Sequence, residues 1–190
     1  MPASSEMNKQ VSCGPVEHWD LSDGKVAMLR SIGPQDAEIE QAFVRGLSEE
    51  SKYFRFMTQM CELSPEMLQH FINPDPMREA ALIVTVPRDG GGAEEEIAVG
   101  RYAMNPGNES CEFAIVVADA WQAHGIATRL MQALMKHAAG RGIKRMEGFV
   151  MASNAKMLEF MRFLGFEIRS SAKGPQIKLV SRPLDDMATK

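Results

Sequence analysis

The chain has 190 residues, of which 45% are hydrophobic and 24% are charged, and its formal net charge at neutral pH is -4. This length fits one domain with a sizeable core, and the composition excludes a chain that is disordered throughout. The apolar runs are too short to span a bilayer, and the acidic balance provides no basic field for nucleic acid. We therefore expect neither a membrane nor a nucleic-acid partner.

The N-terminus and the metal-ligating residue types indicate the compartment and the absence of a metal. Residues 1–10 contain no apolar segment typical of a secretory signal, so the cytoplasm is the expected location. The cysteines Cys13, Cys61 and Cys111 are odd in number and widely spaced, which argues against a disulfide framework and against a zinc site. The histidines show no ligand spacing either, and we predict no metal.

The first half of the chain predicts a tail, one strand and three helices. Residues 1–19 are polar and without periodicity, so we expect a flexible tail, and residues 25–32 have the pattern of a strand. Pro34 begins a helix with apolar residues at helical spacing. Ser48 and Ser64, each followed closely by glutamate, predict two further helix starts.

An aromatic cluster lies between these two serines. It comprises Tyr53, Phe54, Phe56 and Met57 on a short predicted helix. Packing of this helix onto a sheet is the simpler interpretation. The functional interpretation is that Tyr53 and its neighbours also wall a substrate pocket.

Three β-rich runs follow, over residues 80–86, 96–104 and 111–118. Asp89-Gly90-Gly91-Gly92 separates the first two and predicts a hairpin, and no Gly-Lys-Ser/Thr follows it as a phosphate loop would require. The third run is apolar on both faces apart from Glu112, which is typical of a central strand covered by helices on both sides.

The second half of the chain completes an α/β fold. The predicted segments are a helix over 121–139, a strand over 143–151, a helix over 154–164, and two closing strands over 166–169 and 176–180. This order predicts a mixed, mostly antiparallel sheet flanked by helices. We expect one domain over residues 20–182, with residues 183–190 as a second tail.

The junction between the central strand and the next helix has the composition of an anion site. Gly125 and the small Ala127 would let a ligand approach the backbone closely. The amides of residues 123–128 open a helix, where unpaired N–H groups and the helix dipole attract phosphate. From the residues alone, a plain tight turn is an equal alternative, and the dinucleotide fingerprint G-x-G-x-x-G is absent.

The same junction carries a family resemblance. The run Gln122-Ala123-His124-Gly125-Ile126-Ala127, behind the strand I-V-V-A-D, resembles the acetyl-CoA motif Q/R-x-x-G-x-G/A of the GNAT N-acetyltransferase superfamily. Asn154 followed by Gly165-Phe166 is similar to its N-x(10)-G-F stretch. The segments V-A-M-L-R-S-I-G-P-Q-D-A, F-V-R-G-L-S-E-E-S-K-Y-F-R-F and E-L-S-P-E-M-L resemble the acetyltransferase domain of bacterial protein-lysine acetyltransferases that act on acyl-CoA synthetases. The likeness covers residues 20–180 and implies the GNAT acyl-CoA N-acyltransferase fold.

The resemblance implies a site for acetyl-CoA as co-substrate, residue by residue. The pantetheine arm would lie between the central strand and residues 149–151, where the two strands splay apart, and it would bond the backbone of residues 115–117. The pyrophosphate would lie on the amides of residues 123–128, and Asn154 would bond the arm near the thioester. The predicted acetyl-CoA site is therefore Ile115, Val116, Val117, Gln122, Ala123, His124, Gly125, Ile126, Ala127, Thr128 and Asn154.

The chemistry requires a base, because an amine with a pKa of about 10 is protonated at neutral pH and cannot attack a thioester. Glu112 is the candidate, as a carboxylate that we expect to be partly buried, and the resemblance implies a glutamate base at the start of this strand. An exposed strand-end glutamate is the alternative interpretation, and Glu109 is the second candidate. Many members of the superfamily have a tyrosine as general acid where this chain has Met161, so the acid is left open.

The predicted function is N-acetyl transfer from acetyl-CoA to a primary amine, by direct attack with a glutamate base. A protein lysine is one candidate acceptor, and a small-molecule amine is another. A catalytically silent acyl-CoA-binding sensor or partner module is the alternative from a different class. A homodimer is left open.

Overall fold

The described residues, 16–88 and 92–187 of a computed structural model, form eight strands and five helices. The strands are β1 (Glu17–Asp20), β2 (Val26–Ser31), β3 (Glu79–Pro87), β4 (Glu94–Met104), β5 (Ser110–Val117), β6 (Arg145–Met151), β7 (Glu167–Ser171) and β8 (Gly174–Pro183). The helices are α1 (Ala37–Gly46), α2 (Glu49–Phe56), α3 (Pro65–Ile72), α4 (Ile126–Gly140) and α5 (Ala155–Phe163). Short 3₁₀ turns cover Pro34–Asp36, Asp119–Trp121 and Asp185–Met187.

One sheet organises these elements, in the order β1-β2-β3-β4-β5-β6-β8-β7. Neighbouring strands are antiparallel except β5 and β6, which run parallel because α4 connects them as a crossover. The predicted α/β class, with a mixed and mostly antiparallel sheet flanked by helices, is confirmed. The predicted central strand is β5, which has neighbours on both sides.

The two serines predicted to begin helices do so. The Ser48 hydroxyl accepts a hydrogen bond from the amide of Ser51 at 3.1 Å at the start of α2. The Ser64 hydroxyl accepts one from the amide of Met67 at 3.2 Å at the start of α3. Each satisfies one amide that the first helical turn leaves unpaired, which is why Ser is favoured at this position.

The sheet separates two apolar cores. On one face, α4 and α5 bury residues such as Leu130, Leu134 and Leu158 against the sheet. On the other face, α1 and α3 contribute Phe43 and Ile72 to a second core. The sheet is therefore covered on both faces, as the apolar composition of β5 predicts.

Helix α4 begins at Ile126, five residues later than the predicted helix over 121–139. Ala123 and Gly125 lie in the left-handed region, with φ of 66° and 76°, so the backbone of this segment cannot be helical. The residues before Ile126 instead form a 3₁₀ turn at Asp119–Trp121 followed by an irregular turn. This delay leaves a stretch of irregular backbone at the end of β5.

The predicted tails are shorter where the structure describes them. Residues 17–19, predicted as tail, form β1 together with Asp20 and pair with β2. Beyond β8, Leu184 is buried and its amide donates to the Lys144 carbonyl. Residues 1–15, which include Cys13, and residues 188–190 lie outside the described part of the chain. Within the described part, none of the helices is long and apolar enough to cross a bilayer.

Candidate active site

Strands β5 and β6 separate partway along their length, as the resemblance implies. Within the described residues they pair only from Ser110–Glu112 to Arg145–Glu147. Beyond this point β5 stays paired with β4, and β6 stays paired with β8. A wedge-shaped gap therefore opens between the ends of the two parallel strands.

The peptide groups of β5 alternate between β4 and this gap. The Ala118 amide donates to the Ile97 carbonyl at 2.9 Å, and the Ser110 carbonyl accepts from Asn105, so the even-numbered residues face β4. Ile115 and Val117 therefore direct their peptide groups into the gap. Val116, predicted to bond a ligand through its backbone together with its neighbours, presents its peptide group to β4 instead.

The turn after β5 holds a series of unpaired amides. Within the described residues, the amides of residues 123–128 have no hydrogen-bond acceptor, and the first helical bond runs from the Arg129 amide to the Gly125 carbonyl at 3.2 Å. Left-handed residues alternating with other conformations turn successive N–H groups toward one side. The turn therefore has the unpaired amides and the helix N-terminus that an anion site requires.

Two side chains of the predicted motif stabilise this turn from within. The Gln122 side-chain amide donates to the Val117 carbonyl at 3.3 Å. His124 Nδ1 lies 2.8 Å from the Gln122 carbonyl, and since a carbonyl only accepts, Nδ1 carries the proton. His124 is exposed, and its ring meets the edge of Trp121. Both side chains therefore stabilise the conformation of the loop through hydrogen bonds to its backbone.

The gap and the turn open into one cleft of ≈ 730 Å³. One side is the turn wall, our name for β5, β6 and residues 122–128, and it continues into the start of α5. Of the residues 122–128, His124 and Ile126 lie outside the cleft lining. The other side is formed by residues of α2, which we call the helix wall and define as Glu50, Ser51, Phe54 and Arg55. Tyr53, predicted to wall a pocket, is 41% exposed and lies outside the cleft lining, whereas its neighbour Phe54 lines it.

Asn154 lies at the start of α5, on the lip of the cleft. Its side-chain oxygen accepts a hydrogen bond from the Met157 amide at 3.0 Å and so caps the helix. The side-chain NH₂ group is left to donate toward a ligand.

Asp119 fastens the helix wall to the turn wall. Its carboxylate accepts hydrogen bonds from the Ser48 amide at 3.0 Å and from the hydroxyls of Ser48 and Ser51, both at 2.8 Å. Burial acts to raise the pKa of Asp119, but the bonds from Ser48 and Ser51 outweigh it and the pKa is lowered. Asp119 is not among the residues predicted from the sequence, although its position directly after the motif strand was a signal for it.

Glu112 occupies a different environment from the one predicted. It is exposed rather than partly buried, because it lies on the helix-wall face of β5 outside the cleft lining. Its register partners are Ala103 on β4 and Glu147 on β6. Glu112 lies two residues before the cleft-lining Ala114 on the same face, a distance of about 6.6 Å along the strand.

Three other side chains considered for the chemistry are either ion-paired or buried. Glu109 forms an ion pair with Lys144 at 2.6 Å, and the hydrogen bond from Lys144 lowers the pKa of Glu109. Burial raises the pKa of the Cys111 thiol to about 12, which removes it as a nucleophile at neutral pH. Met161, at the position of the tyrosine acid, is completely buried in the core. Within residues 16–88 and 92–187, no group of three potential metal ligands comes together.

Comparison with known proteins agrees with this geometry. Residues 47–166 match the model of the Acetyltransferase (GNAT) family. An acetyltransferase from Pseudomonas aeruginosa is 31% identical over 152 residues, which cover 79% of this chain and 81% of the relative. The chain belongs to the GNAT acetyltransferase family.

Solved structures show the same fold. The GNAT domain of S. lividans PAT superposes with a TM-score of 0.78 at 28% identity, over 88% of this chain and 96% of that one. A spermidine N-acetyltransferase from Vibrio cholerae, in complex with CoA and spermine, gives a TM-score of 0.65 at 15% identity, over 86% and 98% of the two chains. The similarity to the Vibrio enzyme establishes the fold alone.

Proposed function

We propose that this GNAT protein transfers the acetyl group of acetyl-CoA to a primary amine, with the pyrophosphate held by the turn wall. The unpaired amides of residues 123–128 carry this proposal, since they match a doubly charged anion in charge and in donor geometry. The peptide groups of Ile115 and Val117 are placed to pair with the pantetheine arm in the gap, as an extra strand would. The Asn154 side-chain NH₂ supplies a donor at the lip of the cleft.

Glu112 acts as the base in this proposal. Removal of a proton from the acceptor ammonium frees the lone pair that attacks the thioester carbon, and the C–N bond forms as the C–S bond breaks. An amide that points into the gap, at Ile115 or Val117, would stabilise the negative charge on the carbonyl oxygen. Because Glu112 is exposed and outside the cleft lining, the proton reaches it through a chain of water molecules. Met161 has no proton to donate to the leaving thiolate, so water protonates the thiolate instead.

The acceptor in this proposal is a protein lysine. The resemblance of the segments around α1, α2 and α3 to bacterial protein-lysine acetyltransferases supports it, as does the structural similarity to the GNAT domain of S. lividans PAT. The Vibrio relative is named for spermidine, and a small polyamine is therefore the second acceptor class to assay.

Release of free CoA thiol in the presence of an amine panel tests the reaction. Glu112→Gln should lower kcat by about 100-fold or more, the usual contribution of a general base, while the acetyl-CoA Kd from calorimetry stays unchanged. Glu109→Gln is the matched control, because that carboxylate is exposed and paired with Lys144, and it should keep wild-type activity.

Three outcomes would contradict parts of this proposal. Equal losses in the two variants would remove Glu112 as the base. Tight acetyl-CoA binding without turnover on any amine would indicate a catalytically silent acyl-CoA-binding module. No heat on titration with acetyl-CoA would overturn the turn wall as the binding site.

A further inference from the structure

Arg55 in the helix wall is a part-buried arginine beside two aromatic rings. It lines the cleft from the last turn of α2. Its guanidinium carbon lies 4.9 Å from the ring centre of Phe56 and 5.9 Å from that of Phe71. Within the described residues it donates no hydrogen bond, and its Nε atom is sealed from solvent without a partner. A part-buried guanidinium with a sealed, unpaired Nε is unfavourable unless water or a ligand completes its hydrogen bonds.

A buried group of charges lies behind Arg55. Glu40 on α1 and Glu96 on β4 are 1% and 3% exposed, and their four carboxylate oxygens are buried without a hydrogen-bond donor among the described residues. Arg101 on β4 places Nη2 at 3.6 Å from Glu40 Oε1, and its guanidinium lies 3.8 Å from the ring centre of Phe71. The group therefore contains two buried carboxyl groups and two part-buried guanidinium groups.

The charges of this group do not balance. Burial, and next the adjacent Glu40, raise the pKa of Glu96 well above its usual value, which favours the neutral form of this carboxyl. Burial and then repulsion from Arg101 lower the pKa of Arg55 to about 10, which still leaves it a cation. Because the neutral form of Glu96 is favoured, the guanidinium groups of Arg55 and Arg101 outweigh the negative charge buried beside them. The excess is positive, and Arg55 carries it on the side of the cleft.

We propose that Arg55 binds a carboxylate carried by one of the two substrates. This inference rests on the proposed function, and it adds a substrate class to it. The planar guanidinium fork fits a carboxylate with two parallel hydrogen bonds, and a negative charge at this point would neutralise the excess. The pyrophosphate of coenzyme A is assigned to residues 123–128, on the opposite wall. The remaining sources are the far end of a dicarboxylic acyl group and a carboxylate on the acceptor amine.

Two arms of one experiment distinguish these sources. The first arm measures the Kd of succinyl-CoA and of butyryl-CoA, which have the same number of acyl carbons and differ in charge. The second arm measures kcat/KM for amine pairs that differ only by carboxylate or carboxamide, such as β-alanine and its amide, or Nα-acetyl-lysine and its amide. In one of the two arms, the wild type should favour the compound with the carboxylate over its neutral partner. The ratio of Kd values in the first arm, or of kcat/KM values in the second, should be about 10 to 100, as expected for a charge-assisted bidentate pair.

Arg55→Gln should reduce that preference to about twofold or less, while binding of acetyl-CoA and use of the carboxamides persist. Arg55→Lys keeps the charge without the fork, and it should recover only part of the preference. Arg45→Gln is the matched control, because Arg45 is an exposed arginine paired with Glu62 at 2.6 Å. This variant should prefer the carboxylate compound as strongly as the wild type does.

The failures are separable. Equal Kd values and equal kcat/KM values of the wild type for carboxylate compounds and their neutral partners would overturn the Arg55 proposal. So would an Arg55→Gln variant that still binds acetyl-CoA but binds or uses the carboxylate and the neutral compounds equally less well than the wild type does. Failure of the wild type to bind any acyl-CoA would instead overturn the proposed function.

Discussion

The two walls of the cleft are built by different means. The turn wall uses peptide groups: the amides of residues 123–128 and the β5 backbone at Ile115 and Val117. The helix wall uses side chains, and its Arg55 is backed by buried charges from α1 and β4. A backbone site accepts a ligand that every member of a family shares, whereas a side-chain wall can change its specificity by substitution. We therefore expect the turn wall to determine coenzyme binding and the helix wall to determine which substrate reacts.

The largest expected effect is in the turn wall, at Gly125. Its φ of +76° is unfavourable for a β-branched residue, and the space beside it is open. Gly125→Val should either change the direction of the amides or cover them, and weaken acetyl-CoA binding about 30- to 100-fold by calorimetry. Gly107→Val is the control, because Gly107 has φ +95° and open space at the opposite end of β5. If both variants bind as the wild type does, the backbone does not determine coenzyme binding.

The next effect is at Gly148 on β6, inside the turn wall. A Cβ at Gly148 would lie 2.6 Å from Cε1 of Phe113, across the opening between β5 and β6, so the ring must move. Gly148→Ala should lower the free energy of unfolding by about 1–2 kcal/mol, measured in denaturant, because the core becomes overpacked.

Gly46→Ala provides the comparison for this change, since a Cβ there meets nothing within 4 Å at the end of α1. It should leave stability unchanged or raise it slightly. A stable Gly148→Ala variant with wild-type acetyl-CoA affinity would mean that the separation of β5 and β6 tolerates a different position of Phe113.

The sequence predicted the turn wall far better than the helix wall, for a physical reason. The strand, the motif turn and the helix are consecutive, so local spacing carries their geometry, and the caps at Ser48 and Ser64 are equally local. The late start of α4 was missed, because Ala123 adopts a left-handed φ that residue type alone does not indicate. The exposure of Glu112 depends on which elements cover β5, which spacing does not reveal.

The buried charges behind the helix wall could not be predicted from spacing. Glu40, Glu96 and Arg101 come from separate elements, and only the sheet and α1 bring them together. Strict alternation would place Glu96 on the same face as Ala98, toward α4. An irregularity in the β3–β4 register, where Thr85 pairs with Glu96 but Val84 pairs with Ala98, adds one residue and turns Glu96 to the α1 face.

Glu96→Gln should have the smallest effect on the free energy of unfolding at a fixed acidic pH. It is also the most direct test of the charge balance behind the helix wall. Below about pH 5 the amide replaces a carboxyl that is already neutral, so stability should change by less than about 1 kcal/mol. Above the usual value of 4.5 and below the raised pKa of Glu96, the folded protein holds a proton that the unfolded chain has lost. The contribution of Glu96 to the free energy of unfolding is therefore at its full value at low pH. It declines as pH rises through this window, by up to about 1.4 kcal/mol per pH unit.

Glu96→Gln has no proton to lose, so its stability relative to the wild type should rise with pH across the same window. Unfolding free energies of both proteins, measured in parallel from pH 5 upward, give this difference and cancel the titration of groups such as Asp119. A difference that stays flat would show Glu96 ionised in the folded protein. Negative charge inside the buried group would then offset the guanidinium groups, and Arg55 would have no excess charge to offer a ligand.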